Sequence, residues 1–300
     1  MDATPSVSLP ADAAGWGVPE RPPAPLSIRG STFVWGSRTY VMGIVNVTPD
    51  SFSGDGLLGH ADPVEAAVAQ AQRMAAEGAD ILDVGGESSR PGHADVTTSQ
   101  ELDRVVPVIR AIRDALPHMP LSVDTIKPEV AEAAIDAGAD VLNDVWGVRP
   151  SDDLARVAAA RRVPYVLMHN RTEARYRSVV AEVLADLQAA VERAVRAGCE
   201  WERLVIDPGI GFGKTAEQNL AVLSELSAFR VIGRPILVGA SRKSTIGKVL
   251  DLPADQRLEG TLAITALGAS TGADIVRVHD VAANLRAARM ADAIVRGRRP

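Results

Sequence analysis

Five basic side chains lie at the ends of short apolar runs or shortly after them, although the chain carries a net charge of −6 at pH 7. They are Arg90, Arg242, Lys243, Arg277 and His279. Guanidinium and ammonium groups bind phosphate oxygens through charge-assisted hydrogen bonds. A local group of cations on an acidic protein therefore indicates a site for a phosphate ester.

Three hydrogen-bond acceptors, Asp124, Asn143 and Asp207, end other apolar runs. A carboxylate can accept two parallel hydrogen bonds, which suits a flat heterocycle with adjacent N–H groups. For any single residue, helix capping is at least as good an explanation, and Asp124 and Asp280 stand where N-caps belong. Acids, amides and bases at the end of every run favour a polar pocket instead.

A glycine-rich segment, DPGIGFGK, occupies residues 207–214. It could cradle a phosphate, but its Lys lacks the spacing and the following Ser/Thr of the Walker pattern. Alternatively, the glycines let the backbone pass close to a ligand or to another loop. The sequence leaves both interpretations open.

Eight apolar runs alternate with segments of helical period, such as 63–77, 101–116, 128–137, 179–197 and 219–226. Gly78, Gly138 and Gly272 precede three of the runs, where a short connection needs a left-handed cap. This alternation predicts an α/β fold, a (β/α)8 TIM barrel. The alternative is an open doubly wound sheet, which a Gly-x-Gly-x-x-Gly turn after the first run would favour; residues 47–50 are not one. The predicted strands are 41–47, 80–84, 121–123, 141–142, 164–168, 204–206, 236–238 and 275–278.

The chemically useful residues all follow the carboxyl ends of these runs, which is where barrel enzymes carry their active sites. The long segments 48–60 and 85–98 exceed the usual barrel connection and are interpreted as mobile lids. The polar and charged residues expected on this rim are Asn46, Asp50, Glu87, Arg90, Asp124, Asn143, Asp144, His169, Asp207, Ser241, Arg242, Lys243, Arg277, His279 and Asp280.

Length and composition fit one barrel domain of residues 31–297, since 300 residues with 46% apolar content suffice for it. Residues 1–30 are expected to form a flexible arm, and residues 32–40 a short hairpin around Gly36 and Ser37. The single Cys199, the lack of a long apolar run and the acidic start favour a cytoplasmic protein outside the membrane. The acidic balance argues against nucleic-acid binding.

The sequence resembles the dihydropteroate synthase family over nearly the whole predicted barrel, from residue 41 to about residue 284. In order and at barrel spacing, these motifs are highly specific. The matching segments are MGIVNVTPDSFS at 42–53, DVGGESSRPG at 83–92, SVDT at 122–125, NDV at 143–145, MH at 168–169, DPGIGFGK at 207–214, GASRKS at 239–244 and RVHDV at 277–281.

The resemblance implies a Mg2+-dependent TIM barrel of folate biosynthesis, usually a homodimer and the target of sulfonamides. It implies a pterin site, a pyrophosphate and metal site, and a p-aminobenzoate site. The resemblance also implies that four residues are catalytic: Asp207, Lys243, Arg277 and His279. The implied sets are Asp124, Asn143, Met168, Asp207, Phe212 and Lys243 for the pterin; Asn46, Arg277 and His279 for pyrophosphate; Ser89, Arg90, Pro91 and Ser241 for p-aminobenzoate; and Asn46 with Asp55 for the metal.

Two positions depart from the family pattern. Ser89 precedes Arg90 where the family usually has Thr, which keeps the hydroxyl and loses a methyl group. The acid often found directly after Ser53 is displaced by one residue, to Asp55.

The implied reaction condenses 6-hydroxymethyl-7,8-dihydropterin pyrophosphate with p-aminobenzoate to 7,8-dihydropteroate, with release of pyrophosphate and without a covalent enzyme intermediate. Three alternatives remain at this stage: a pterin-binding paralogue without synthase activity, a pterin-dependent methyltransferase, and an unrelated phosphate-binding isomerase. The methyltransferase would have little use for an anion site at Arg277 and His279. The DPGIGFGK segment argues against the isomerase.

Overall fold

The computed structural model describes residues 22–48, 57, 62–87 and 96–297. Within these ranges a hairpin of β1 (Leu26–Ile28) and β2 (Ser31–Phe33) precedes one parallel sheet. The strands of that sheet are β3 (Tyr40–Asn46), β4 (Ile81–Gly85), β5 (Leu121–Asp124), β6 (Val141–Asp144), β7 (Tyr165–Met168), β8 (Leu204–Asp207), β9 (Leu237–Val238) and β10 (Ile275–Val278). Their hydrogen-bonded order is β8, β7, β6, β5, β4, β3, β10, β9, and a bridge between Ile206 and Ile236 joins the two ends. The strands therefore close into a barrel.

Helices and short 310 turns fill the connections between the strands. Because helices cover the outside while side chains fill the inside, the strands are buried on both faces and are apolar along most of their length. The predicted (β/α)8 barrel is confirmed. The helices are α1 (Pro63–Ala76), α2 (Thr98–Ala115), α3 (Pro128–Ala137), α4 (Asp153–Arg161), α5 (Val179–Arg196), α6 (Ala216–Ser224), α7 (Ser244–Leu250), α8 (Leu258–Thr271) and α9 (Val281–Val295), and the 310 turns are Trp201–Arg203, Leu226–Ile232 and Ala254–Gln256.

Several strands extend beyond the predicted apolar runs into polar residues. Asp124 pairs with Gly85 on one side and Asn143 on the other, and Asp207 pairs with Met168. The ladder depends on backbone groups and not on side-chain polarity, so the strands continue through these positions. The polar side chains consequently stand on rigid strand ends and not on flexible loops.

The hairpin lies earlier in the chain than the sequence pattern predicted. Its turn is Arg29-Gly30, with φ values of 50° and 81°, and not Gly36-Ser37. Positive φ at both central residues matches the turn that two-residue hairpins prefer. Leu26 and Ile28 are buried, so this part of the predicted arm belongs to the folded domain. Residues 1–21 lie outside the described part of the chain.

Two apolar clusters stabilise the barrel. The larger one fills the layer between the strands and the helices, and it includes Leu82, Ile109 and Leu187. The smaller one fills the lower end of the barrel interior, where the hairpin and the Phe33, Trp35 and Tyr40 rings cover the amino-terminal ends of the strands. The opposite end holds the polar side chains.

Candidate active site

The guanidinium of Arg277, on β10, spans the mouth of the barrel. Its Nε donates to Asp83 Oδ2 at 2.6 Å, and its Nη2 donates to Asp124 Oδ2 at 2.9 Å. Asn143 Nδ2 donates to the same Asp83 oxygen at 3.1 Å. Strands β10, β4, β5 and β6 are not all neighbours, so these contacts require side chains that point into the barrel from different sides. The structure thereby brings three predicted site residues together.

Asp83 is a site residue that the sequence analysis missed. Its side chain is fully buried, and its Oδ1 has no hydrogen-bond partner among the described residues. The available signal was a carboxylate in the middle of an apolar strand, ILDVG. A buried carboxylate requires a paired charge, which Arg277 supplies.

Asp124 lies next to the Asp83–Arg277 pair, and both charges influence its pKa. Burial raises the pKa of Asp124 to about 7, Asp83 raises it further, and Arg277 opposes the rise. The helix cap that sequence reasoning allowed for Asp124 does not form, because α3 begins four residues later, at Pro128, and its N-cap residue is Lys127. The carboxylate is thus available to a ligand at the mouth.

Asp207 and Lys243 form the second charged pair of the mouth. Asp207 ends β8, and its Oδ1 accepts a hydrogen bond from Gly209 N at 2.7 Å. Lys243 donates to Ile210 O, and its Nζ lies 4.0 Å from the centroid of the Phe212 ring. Burial lowers the pKa of Lys243 to about 7, with Asp207 opposing, and burial also raises the pKa of Asp207. An acceptor, a donor and an aromatic face are therefore adjacent, as a flat polar ring requires.

Ser241 and His279 contact each other behind this pair. Ser241 Oγ accepts from His279 N at 3.2 Å and lies 2.9 Å from His279 Nδ1. Arg242, which the sequence analysis placed among the anion-binding cations, forms a bidentate ion pair with Asp280 at 3.0 Å and 2.6 Å. Its guanidinium is thus already neutralised by a carboxylate.

The glycine-rich segment is shaped by close backbone approach. A Cβ on Gly209 would lie 1.8 Å from His169 O, and one on Gly213 would lie 2.3 Å from Arg171 O. Lys214 turns inward and donates to Gly209 O at 3.0 Å and to Phe212 O at 3.1 Å. Of the two interpretations of this segment, the structure favours close packing over a phosphate cradle, because its Lys binds the loop itself.

A cavity of about 440 Å3 opens beside the mouth. Its lining residues include Asp124, Phe212, Ser244, Trp146 and Asn170. Glu87 and Glu101 also line it, and both bind Lys127 Nζ. The cavity has room for a small molecule next to the mouth of the barrel.

The remaining predicted residues are placed as follows. Asn46 ends β3 on the same rim and is partly buried, and Met168 ends β7 and is buried. His169 is fully buried and contacts Lys214 and Asp186. Asp50, Asp55, Ser89, Arg90 and Pro91 lie outside the described residues, so both predicted lids are untested.

The predicted metal site has one described residue. Asn46 offers a carboxamide oxygen, a hard donor of the kind Mg2+ prefers, and Mg2+ commonly keeps waters and substrate phosphates as its other ligands. No cluster of three or more His, Cys, Asp or Glu side chains that could hold a metal occurs among the described residues. Within the described residues, Asn46 is therefore the one predicted ligand whose position is known, and its oxygen suits Mg2+.

None of the helices in the described part of the chain is long and apolar enough to cross a membrane.

Known proteins match this chain along most of its length. A family model described as pterin binding enzyme matches residues 42–279. The dihydropteroate synthase of Clostridium beijerinckii is 49% identical over 272 residues, which cover 90% of this chain and 100% of that protein.

Solved structures agree with the sequence match. The dihydropteroate synthase of Xanthomonas albilineans with 4-aminobenzoic acid superposes with a TM-score of 0.84 at 45% identity, over 91% of this chain and 98% of that one. That of Yersinia pestis, in a sulfonamide drug complex, superposes with a TM-score of 0.85 at 38% identity, over 92% of this chain and 100% of that one. The chain therefore belongs to the dihydropteroate synthase family of pterin-binding enzymes, which are transferases.

Proposed function

We infer that the barrel mouth binds a dihydropterin pyrophosphate and that the adjoining cavity binds p-aminobenzoate, so that the chain makes 7,8-dihydropteroate. The observation that carries this inference is the convergence of Asp124, Asn143 and Asp207 with Lys243 and Arg277 at one end of the barrel. A pterin ring offers adjacent N–H donors and a carbonyl oxygen. The carboxylates can accept hydrogen bonds from these N–H groups, and the ammonium of Lys243 can donate one to the carbonyl oxygen.

The reaction is a displacement at the methylene carbon of the pterin. The amine nitrogen of p-aminobenzoate forms the new C–N bond while the C–O bond to pyrophosphate breaks, and the nitrogen then loses a proton. No side chain has to form a covalent intermediate. The enzyme orients the two substrates, excludes water and stabilises the departing anion.

Arg277 and His279 serve the leaving group in this proposal. Arg277 uses Nε and Nη2 for Asp83 and Asp124, while none of the described residues accepts a hydrogen bond from its Nη1. Nη1 can therefore donate to a pyrophosphate oxygen while the two carboxylates hold the guanidinium in place. Mg2+ bound at Asn46 would neutralise pyrophosphate charge. Asp55 remains a predicted second ligand.

For the carboxylate of p-aminobenzoate, the geometry favours a position near Ser244 over the predicted position at Ser241. Ser241 Oγ contacts His279, and the two backbone N–H groups that follow it donate to Thr261 Oγ1 and Ala240 O. Ser244 instead lines the cavity. We propose that the carboxylate of p-aminobenzoate lies near Ser244, while Ser89, Arg90 and Pro91 remain predicted contacts.

The proposed homodimer has a candidate surface on α8 and α9. Leu267, Met290 and Ile294 are 66%, 63% and 70% exposed, and Met290 and Ile294 lie one helical turn apart. Exposed apolar side chains on two packed helices are typical of a subunit interface. Sedimentation of Ile294→Glu should give monomers if α9 lies in the interface, with Arg289→Glu on the same helix as the charge control.

The synthase assay tests the function directly. Purified protein is incubated with pterin pyrophosphate, p-aminobenzoate and Mg2+, and both dihydropteroate and pyrophosphate are quantified; equal amounts of the two products are expected. Pterin binding without pyrophosphate release would instead identify a non-catalytic paralogue. Equal affinity for pterins with and without pyrophosphate would favour the methyltransferase alternative.

A further inference from the structure

A network beneath the glycine-rich loop connects the pterin site to the outer helices. Lys214 Nζ lies 2.9 Å from His169 Nδ1 and donates to Gly209 O and Phe212 O, which uses all three hydrogens of the ammonium group. His169 Nε2 lies 3.1 Å from Asp186 Oδ2, on α5. Of these residues, only Phe212 belongs to the pterin set named above, and Lys214 also lines the adjoining cavity.

The hydrogen-bond partners fix the tautomer of His169. Asp186 is a carboxylate and accepts from Nε2–H, so Nδ1 carries the lone pair that faces Lys214. Burial lowers the pKa of His169 to about 3, with Lys214 as the next cause, so the imidazole is neutral. A neutral ring in this orientation accepts a hydrogen bond from Lys214, whose pKa burial lowers to about 7. Arg171 binds Asp186 at 2.8 Å and keeps that carboxylate in place.

Side chains hold four carbonyls of the loop between Asp207 and Lys214. Lys214 binds those of Gly209 and Phe212, Lys243 binds that of Ile210, and Tyr176 Oη donates to Gly213 O at 2.8 Å. The backbone of this loop includes three positive φ angles and is not part of a helix or strand. Its shape therefore depends on these side-chain donors and on its own short turns.

We propose that Lys214 is a positioning residue for pterin binding, which acts through the loop and through a neutral His169 that Asp186 orients. Lys214 sets the position of the Phe212 ring against Lys243 and orients Gly209, whose N–H binds Asp207. Loss of this support lets the loop relax, so the pterin-facing groups spend less time in the binding geometry. This inference rests on the proposed pterin site, so wild-type pterin binding is measured first.

The test compares variants that differ in one contact. His169→Asn places an amide oxygen close to the position of Nδ1 and keeps an acceptor for Lys214, whereas His169→Leu, of similar size, does not. We expect Lys214→Met and His169→Leu each to weaken pterin binding at least tenfold by calorimetry, and His169→Asn to stay within threefold of wild type. The double variant Lys214→Met/His169→Leu should bind pterin no more weakly than Lys214→Met alone, because His169 acts on the loop through Lys214.

Kinetics separate positioning from general destabilisation. The KM for the pterin substrate should rise in Lys214→Met and His169→Leu, while kcat at pterin saturation changes less than threefold. Tyr176→Phe, which removes one loop contact near the surface, should give a smaller rise in the same direction and covers the case in which the buried variants do not fold. Arg161→Met, which breaks an exposed pair with Asp136 far from the loop, should have no effect.

The proposal fails if folded Lys214→Met and Tyr176→Phe keep wild-type pterin affinity, or if His169→Asn and His169→Leu lose equal amounts of pterin affinity. It also fails if the loss of pterin affinity in the double variant equals the sum of the losses in the two single variants. A wild-type protein that does not bind pterin would instead contradict the proposed function.

Discussion

The two ends of the barrel use aspartate differently. At the amino-terminal end, Asp80, Asp140 and Asp274 each accept a hydrogen bond from a backbone N–H within one residue of the start of a neighbouring strand, those of Val41, Leu121 and Ile236. Two of these carboxylates also pair with arginines, Asp80 with Arg38 and Asp140 with Arg113. At the carboxyl-terminal end, Asp83 and Asp124 share the guanidinium of Arg277, and neither accepts a backbone N–H from the described residues.

This difference separates stability from activity. The carboxylates at the lower, amino-terminal end belong to a Gly-Ala-Asp repeat at residues 78–80, 138–140 and 272–274. Each accepts a backbone N–H at the end of the barrel that holds the Phe33, Trp35 and Tyr40 cluster. Burial raises the pKa of Asp124 at the upper end and also that of Asp274 at the lower end, but of these five carboxylates only Asp83 has a buried oxygen without a partner among the described residues. Underpaired buried charge is typical of a site that a ligand completes.

Arg277→Ala should have the largest effect, because it removes the cation from two buried carboxylates. We expect a loss of about 3–5 kcal/mol in the free energy of unfolding together with loss of synthase activity. Denaturant unfolding and the product assay measure the two. Adding Asp83→Asn to this variant should restore part of the stability, since it removes one uncompensated charge, without restoring activity; unchanged stability in Arg277→Ala would show that the guanidinium does not compensate the carboxylates.

Phe33→Ala should separate the two ends most clearly. The ring is fully buried in the lower cluster, so its removal should cost about 3–5 kcal/mol of unfolding free energy. The kinetic constants of the folded fraction at low temperature should match those of the wild type. A change in the KM for either substrate would indicate that the lower cluster also positions the rim.

Asp207→Asn should show the converse pattern. The amide replaces an acceptor by a donor opposite the pterin N–H groups, so pterin binding should weaken by about 2–4 kcal/mol while the fold remains intact. Calorimetry with the pterin and a thermal melt are the measurements. Asp140→Asn, at the lower end, serves as the matched control and should lower the melting temperature without changing pterin affinity; the prediction is wrong if Asp207→Asn binds pterin within twofold of wild type.

The smallest expected effect is a pH dependence of stability, about 1 kcal/mol per pH unit just above pH 7. The pKa of Lys243 is about 7 in the folded protein and about 10.4 in an unfolded chain. Between these values the unfolded state binds more protons, so stability due to this group rises with pH from about 7 to about 10. Lys243→Met should show a smaller rise in unfolding free energy, and the remaining rise comes from Lys214, whose pKa burial also lowers to about 7. Arg38→Met, at the lower end, should keep the full rise; identical pH slopes for wild type and Lys243→Met would contradict the burial of the charge.

Sequence patterns predicted the elements more reliably than the site. The apolar runs identified all eight barrel strands, because each strand is buried on both faces, and α3 was predicted with its observed bounds. The hairpin was misplaced because the Arg29-Gly30 turn has a weaker signal than Gly36-Ser37. Asp83 was overlooked as a site residue, since strand position alone does not show which side chain meets Arg277.

The sequence by itself determined the fold class and the family. Period, glycine caps and ordered motifs are local properties, and each can be detected in a short stretch of the chain. Tertiary structure alone decided which charges pair. Arg277 binds residues 194 and 153 positions away, and Arg242 pairs with Asp280. Barrel closure fixes those distances, because it brings the ends of non-adjacent strands to a common mouth.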